Sequence, residues 1–197
     1  MKVELDDVAF WMDAIRNSDD RYRTLESFWK GQLRSKTWLI EALEEKGLEN
    51  MNIAIHGGWN GVLAALLFNT KIAKNIVSID IDPKCEEIAR TINKRYEMEG
   101  RFTAVTADMT ECRIDADIII NTSCEHITQE QYDAWLDLQP DNALFVIQSN
   151  NYSELDEHIR CAEEGNEFLE QSRLLPIWRG AMELPKYTRF MIVGRKK

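Results

Sequence analysis

Proline and glycine are scarce in this 197-residue chain, four and nine respectively, and nowhere do they gather with serine. That excludes a long flexible linker, a low-complexity tract and a collagen-like repeat. No apolar run approaches the roughly 18 to 20 residues that a membrane span needs, so no membrane partner is expected. The opening Met1-Lys2-Val3-Glu4-Leu5-Asp6-Asp7 turns acidic at once and has no apolar stretch of signal-peptide type. Four cysteines (Cys85, Cys112, Cys124 and Cys161) stand apart, with no Cys-x-x-Cys pair and no histidine at metal-ligand spacing. They read as reduced thiols of a cytoplasmic protein, and no metal is expected. Positive charge is also sparse, with a net charge of −10. From Asp108 to Glu167 there are 15 acidic residues against two arginines, Arg113 and Arg160. Such a surface repels a phosphate backbone, which argues against nucleic acid as a partner. The balance reverses from Phe168 to Lys197, with seven basic residues and two acidic ones, a segment read as a solvated hairpin.

The residues that are present suit one sizeable domain with a modest extension. Two helical segments come first. Val8, Trp11, Met12 and Ile15 recur at three- and four-residue spacing, as do Leu25, Phe28 and Trp29, then Leu39, Ala42 and Leu43. Gly47 stops the second segment. Residues 1–48 are therefore expected to form a helical cap or lid, and 49–197 the main domain. There the pattern becomes short apolar runs: Asn52–Ile55, Ile76–Ile79, Phe102–Val105, Asp117–Ile120 and Ala143–Ile147. Runs apolar at consecutive positions suit strands buried on both faces of a parallel sheet. Between them lie helical stretches over Gly61–Ala73 and Pro83–Met98, the latter with Asp82 at its N-cap and Pro83 at its first position. Thr128-x-x-Gln131 is a capping-box pattern, and Ser153 is read as opening a further helix to about Glu164. The alternation implies an α/β fold with a doubly wound sheet. Leu174–Trp178 and Thr188–Val193 read as a closing hairpin.

The first strand-to-helix turn carries His56-Gly57-Gly58-Trp59-Asn60-Gly61. Glycines there let the backbone approach a ligand closely, and the helix beyond presents free N–H groups. About 20 residues on, the next strand ends in Ser78-Ile79-Asp80-Ile81-Asp82-Pro83. A carboxylate in that place accepts the hydroxyls of a nucleoside ribose. Asp80 is the better placed, since Asp82 serves as a helix cap.

These residues resemble the class I S-adenosylmethionine-dependent methyltransferases, especially small-molecule enzymes like those of quinone biosynthesis. The resemblance covers roughly 50–197. It implies a Rossmann-like seven-stranded sheet in the order 3-2-1-4-5-7-6, mostly parallel with an antiparallel last strand. It implies S-adenosyl-L-methionine as cofactor, held by His56, Gly57, Gly58, Trp59, Asn60 and Gly61 of the first motif. Asp80 would hold the ribose, and Ile81 would pack on the adenine. Ala107-Asp108-Met109 is similar to the motif in which a carboxylate, here Asp108, accepts the adenine amine, with Met109 beside it. Asp117-Ile-Ile-Ile-Asn121-Thr-Ser-Cys-Glu125-His126-Ile127 is similar to a fourth strand that often ends in Leu-Glu-His. Gln148-Ser149-Asn150-Asn151-Tyr152 suits the end of the fifth. One departure stands out, because the family usually carries an acid near the start of its first motif, for the methionyl amino group. This chain has Ala54 or Ile55 there, which leaves His56, Asn121, or an N-terminal carboxylate such as Asp13 or Glu26 to do that work. Acceptor chemistry that needs a base would draw on His126 and Glu125. His158 is read as a surface residue within a helix. The fourth strand lacks the Asn/Asp-Pro-Pro-aromatic tetrapeptide of nucleic-acid methyltransferases, so the expected function is methyl transfer to a small-molecule or modest polar acceptor. The alternatives are non-methyl use of the same cofactor, or a non-catalytic nucleotide-binding module.

Overall fold

Acidic residues in the first turn and an arginine in the last complement the dipole of the first helix, α1 (Leu5–Asn17). It is followed by α2 (Arg21–Glu26) and α3 (Lys30–Glu44), so the two expected segments are three helices. The chain breaks after Asn17 because Asp20 recaps it, its carboxylate accepting the Arg23 N–H at 3.0 Å. The computed structural model describes Val3–Lys197. Its strands are β1 (Met51–His56), β2 (Ala73–Asp80), β3 (Phe102–Thr106), β4 (Ile118–Asn121), β5 (Leu144–Asn150), β6 (Leu174–Glu183) and β7 (Thr188–Lys196). They form one seven-stranded sheet in the order β3-β2-β1-β4-β5-β7-β6. The pairs β1/β2, β2/β3 and β4/β5 are parallel, and β7 runs antiparallel to both its neighbours. The expected sheet order and the antiparallel last strand are both observed.

The remaining helices are α4 (Val62–Phe68), α5 (Pro83–Ile92), α6 (Lys94–Met98), α7 (Gln129–Leu138) and α8 (Gly165–Ser172). All seven residues of α4 are buried, which its unbroken Val-Leu-Ala-Ala-Leu-Leu-Phe sequence permits. It is shorter than the expected Gly61–Ala73, because Asn69 and Thr70 fold back onto Ala65 and Leu67 carbonyls and Ala73 already begins β2. The expected helix over Pro83–Met98 divides at Asn93, whose side chain donates to the Ala89 and Gly61 carbonyls. The capping box at Thr128 and Gln131 is complete in both directions.

The expected helix from Ser153 to Glu164 does not form. Leu155 and Ile159, which a helix there would set one turn apart, are exposed. The segment is held instead by long-range bonds: the Ile159 and Arg160 N–H groups donate to the Glu125 carbonyl, and Ala162 N–H to that of Asn150. His158 is consequently neither helical nor a surface residue; it is half-buried and hydrogen-bonded. The final hairpin is longer than expected, since β6 continues through Gly180 to Glu183. Near its start the pairing with β7 slips between Pro176 and Trp178, leaving Ile177 without a partner in register, and Leu175 and Ile177 are exposed.

Two compact units divide the chain, Met1–Asp108 and Met109–Lys197. In the first, α1 packs on α2, α5 and α6, and its buried Asp7 pairs with Arg95 at 3.3 Å. The N-terminal helices therefore share a unit with β1, β2 and β3. Gly61 shows how tightly this unit is assembled. It adopts a left-handed φ of 74°, and a Cβ there would lie 2.7 Å from Asn93 Nδ2 and 3.0 Å from the Ala89 Cα. Gly47 has a similar φ of 65° with nothing within 4 Å. Gly61→Ala is therefore expected to cost about 2 kcal/mol more than Gly47→Ala, which carries only the left-handed penalty of about 1 kcal/mol. Urea denaturation of the two variants measures this, and equal losses would refute the close-packing argument.

Candidate cofactor site

The first unit ends β1 in the turn Gly57–Gly61, and three of its five residues take a positive φ: Gly57 at 68°, Trp59 at 48° and Gly61 at 74°. For tryptophan that conformation costs energy and must be held from outside. Asp80 does so. Its Oδ2 accepts the Trp59 N–H at 2.8 Å, and its Oδ1 accepts the Asp82 N–H at 3.0 Å. The carboxylate at the end of β2 thus fixes the turn at the end of β1. A carboxylate offers about four lone-pair sites, so two remain for a ligand. Gly58 N–H donates to the Ile79 carbonyl at 2.9 Å, and a Cβ at Gly58 would meet Ser78 Oγ at 2.0 Å. Gly58 and Gly61 are therefore explained by packing of the chain on itself, not by ligand approach alone.

Ile81, the next residue, is 68% exposed, an apolar surface beside the carboxylate. Asn60 is buried, and its Nδ2 has no hydrogen-bond partner. A buried amide donor left unsatisfied is costly, which suits a residue awaiting an acceptor. Asp82 caps α5 through the Lys84 N–H and pairs with Arg23 of α2 at 2.5 Å. The Lys84 bond and the Arg23 guanidinium hold the Asp82 carboxyl below its ordinary range. The sequence did not mark Arg23 as a partner of this loop. Asp13 and Glu26, the N-terminal carboxylates, are exposed. Asp108 is half-buried at the end of this unit. A cleft of about 900 Å³, lined by residues including Glu4, Asp6, Lys71 and Arg95, opens near Leu48 and Glu49, at the amino end of β1 and away from the glycine turn.

In the second unit, Met109 is half-buried and its sulfur lies 3.4 Å from Asn121 Nδ2, while Asn121 Oδ1 accepts the Ser123 N–H at 2.9 Å. A single 3-10 turn, Cys124–His126, follows β4. Glu125 is buried within it and its Oε1 accepts from Asn150 Nδ2 at 2.7 Å and from Arg189 Nη1 at 3.1 Å. Arg189 also donates to Gln148 Oε1 and to the Thr122 carbonyl. Glu125 thereby braces the loop after β4 against β5 and β7. Cys124 beside it has its thiol pushed up to about 12 by burial, so it is neither nucleophile nor thiolate ligand at neutral pH. His126 is exposed.

His56 closes β1 with no exposed surface. Burial lowers its pKa to about 4 from 6.5. It stays neutral in the native state while the unfolded chain takes up a proton below pH 6.5. The stability this confers is intact above pH 6.5 and is lost as pH falls toward 4. Between pH 7 and pH 5 the parent is expected to lose about 2 kcal/mol more than His56→Gln, since one pKa unit is worth about 1.4 kcal/mol. Unfolding free energies of both proteins at the two pH values measure the difference, and parallel losses would show that His56 titrates normally.

No family model and no curated protein matches the chain. Solved structures do. The N-methyltransferase NodS from Bradyrhizobium japonicum WM9 in complex with S-adenosyl-L-homocysteine superposes with a TM-score of 0.69 at 13% identity, over 95% of this chain and 99% of that one. Magnesium protoporphyrin IX methyltransferase (ChlM) from Synechocystis PCC 6803, also with S-adenosylhomocysteine bound, gives 0.65 at 12% identity, over 98% and 95%. A variant of MtNAS in complex with S-adenosylmethionine gives 0.57 at 15% identity, over 97% of this chain and 72% of that one. At such identities the likeness concerns the backbone, and the chain shares the fold of these three structures.

Proposed function

We propose that this protein is an S-adenosylmethionine-dependent methyltransferase acting on a small-molecule or modest polar acceptor. The observation that carries the reading is Asp80: a carboxylate at the carboxyl end of β2, bonded to the glycine turn, with unused lone pairs and exposed Ile81 beside it. That arrangement fits a nucleoside, whose ribose hydroxyls donate to the carboxylate while the base packs on the isoleucine. Unsatisfied Asn60 Nδ2 supplies a donor on the same turn, suited to a ligand carboxylate. Gly57, Gly58, Trp59 and Gly61 shape the turn, and Asp108 and Met109 are assigned to the adenine side. The cofactor, when bound, supplies an already activated sulfonium methyl group, so the residues must chiefly bind, orient and exclude water.

Ala54 and Ile55 are buried and apolar, so neither meets the methionyl amino group. The assignment falls to Asn121 or to neutral His56, with the helices of residues 1–48 as a cover on the first unit's side. The Arg23–Asp82 pair supports that cover. For acceptors that need deprotonation the base is His126, the exposed imidazole next to Glu125. The acidic surface supports a small acceptor over nucleic acid. No helix among the described residues is long and apolar enough to cross a membrane, and all four cysteines lack a disulfide partner, which supports a reducing, cytoplasmic setting.

Calorimetry with S-adenosylhomocysteine tests the site. Asp80→Ala is expected to weaken binding at least tenfold, about 1.4 kcal/mol, through loss of charge-assisted hydrogen bonds. Asp80→Asn, which keeps an acceptor for the Trp59 N–H, separates the ligand's loss from the turn's. Parental affinity in both folded variants would remove Asp80 from the site. Product analysis then decides the chemistry, S-adenosylhomocysteine marking methyl transfer and methylthioadenosine marking sulfonium cleavage or group transfer of another kind.

A further inference from the structure

Three groups with metal-ligand chemistry converge in the second unit, and the methyl-transfer reading uses them only in part. One ligand atom each from Glu125, His126 and His158 lies within 4.8 Å of the others. The imidazoles meet edge to face, with ring centroids 4.8 Å apart. His126 Nδ1 lies 3.1 Å from the Glu157 carbonyl, and His158 Nδ1 lies 2.6 Å from that of Tyr152. A carbonyl oxygen only accepts, so in each ring Nδ1 carries the proton and Nε2 keeps its lone pair. That is the arrangement by which proteins fix the tautomer of a ligating histidine. Glu125 adds an independent sign. Its Oε1 is engaged by Asn150 and Arg189, but Oε2 is buried and has no hydrogen-bond partner, although the residue is only 3% exposed. A carboxylate oxygen kept from water without a donor costs several kcal/mol unless a cation meets it.

We propose that Glu125, His126 and His158 bind one divalent transition cation of the zinc type. Two imidazoles and one carboxylate select zinc over magnesium or calcium, which prefer oxygen donors alone. Bonds of roughly 2.1 Å in a tetrahedral site set ligand atoms about 3.4 Å apart, so the cluster must close by about an ångström or more. His158 lies on a stretch from Asn151 to Glu164 that has neither helix nor strand, and His126 is exposed, so the closure falls to side-chain torsions of the two rings while the backbone around them stays held. Three protein ligands leave a fourth position for water or for an oxygen donor of a second molecule. Arg189 is held on Oε1, and its charge keeps the affinity below that of a closed structural site. The inference departs from the sequence, where the cysteines gave no metal pattern and His158 lay 32 residues from His126. It stands on this cluster alone, does not depend on methyl transfer, and is an alternative to the base role of His126, whose Nε2 lone pair cannot both ligate a cation and take up a proton.

The test is a Zn²⁺ titration of the metal-free full-length chain by calorimetry, repeated with His126→Ala, His158→Ala and His158→Gln. A Cys112→Ser, Cys161→Ser double variant serves as control for the two cysteines that are not fully buried. The expected result is one Zn²⁺ per chain, at least tenfold weaker in every histidine variant and unchanged in the cysteine variant. His158→Gln retains a donor for the Tyr152 carbonyl, so its loss of binding reports the imidazole and not the fold. The Co²⁺ form is expected to show d–d absorption without thiolate charge-transfer bands. Failure of the parent to bind Zn²⁺, less than tenfold weakening in the histidine variants, or thiolate bands in the Co²⁺ spectrum would each overturn the proposal.

Discussion

One carboxylate holds the glycine turn of the first unit in shape. Asp80 reaches from the end of β2 to the Trp59 N–H and keeps a tryptophan in left-handed backbone that it would otherwise leave. Residues on either side of Trp59 then fall into place: Gly58 against Ser78 and Gly61 against Ala89 and Asn93. An anion suits this task better than an amide, because charge-assisted bonds are shorter and roughly twice as strong as neutral ones. In the proposed cofactor site, turn geometry and ligand affinity would share one residue. A site built in this way is organised before the ligand arrives, so binding need not meet the entropy of ordering the loop.

The second unit is organised by charge of a different kind. Buried Arg189 and Arg160 each bridge several elements: Arg189 touches Gln148, Glu125 and the Thr122 carbonyl, while Arg160 reaches Gln129, the Cys124 carbonyl and the Tyr132 ring. Buried ion pairs seldom add much net stability, since desolvation offsets attraction, but removing one partner is expensive. Their value here is direction. The planar guanidinium forks specify where the 3-10 turn after β4 and the irregular stretch before α8 must lie, which apolar packing would leave loose.

The sheet was largely legible in the sequence, because strands buried on both faces are written as consecutive apolar residues, as in Ile118-Ile119-Ile120. Caps were legible too, at Asp82 and Thr128, where a local side-chain bond has a fixed spacing. Asp80 stood out by its place after an apolar run. What failed was the stretch from Ser153 to Glu164, read as a helix opened by Ser153, although Leu155 and Ile159 there stay exposed. The competing bonds that win there come from Glu125 and Asn150, distant in sequence. The same distance hid Glu125 with Arg189, 64 residues apart, and the meeting of His126 with His158. In the glycine turn, Gly58 and Gly61 also answer to neighbouring residues, against Ser78 and against Ala89 and Asn93.

Strand β6 ends the sheet, and an end strand offers its spare backbone groups to any other extended chain. This one carries exposed Leu175 and Ile177, an invitation to sticky self-association. Pro176 stands between them with no N–H to give, and the slip in pairing next to it twists the strand away from the flat geometry a stacking neighbour would require. The ring thus acts as a gatekeeper, protecting the chain from fibril-like growth at its apolar rim while leaving the hairpin intact.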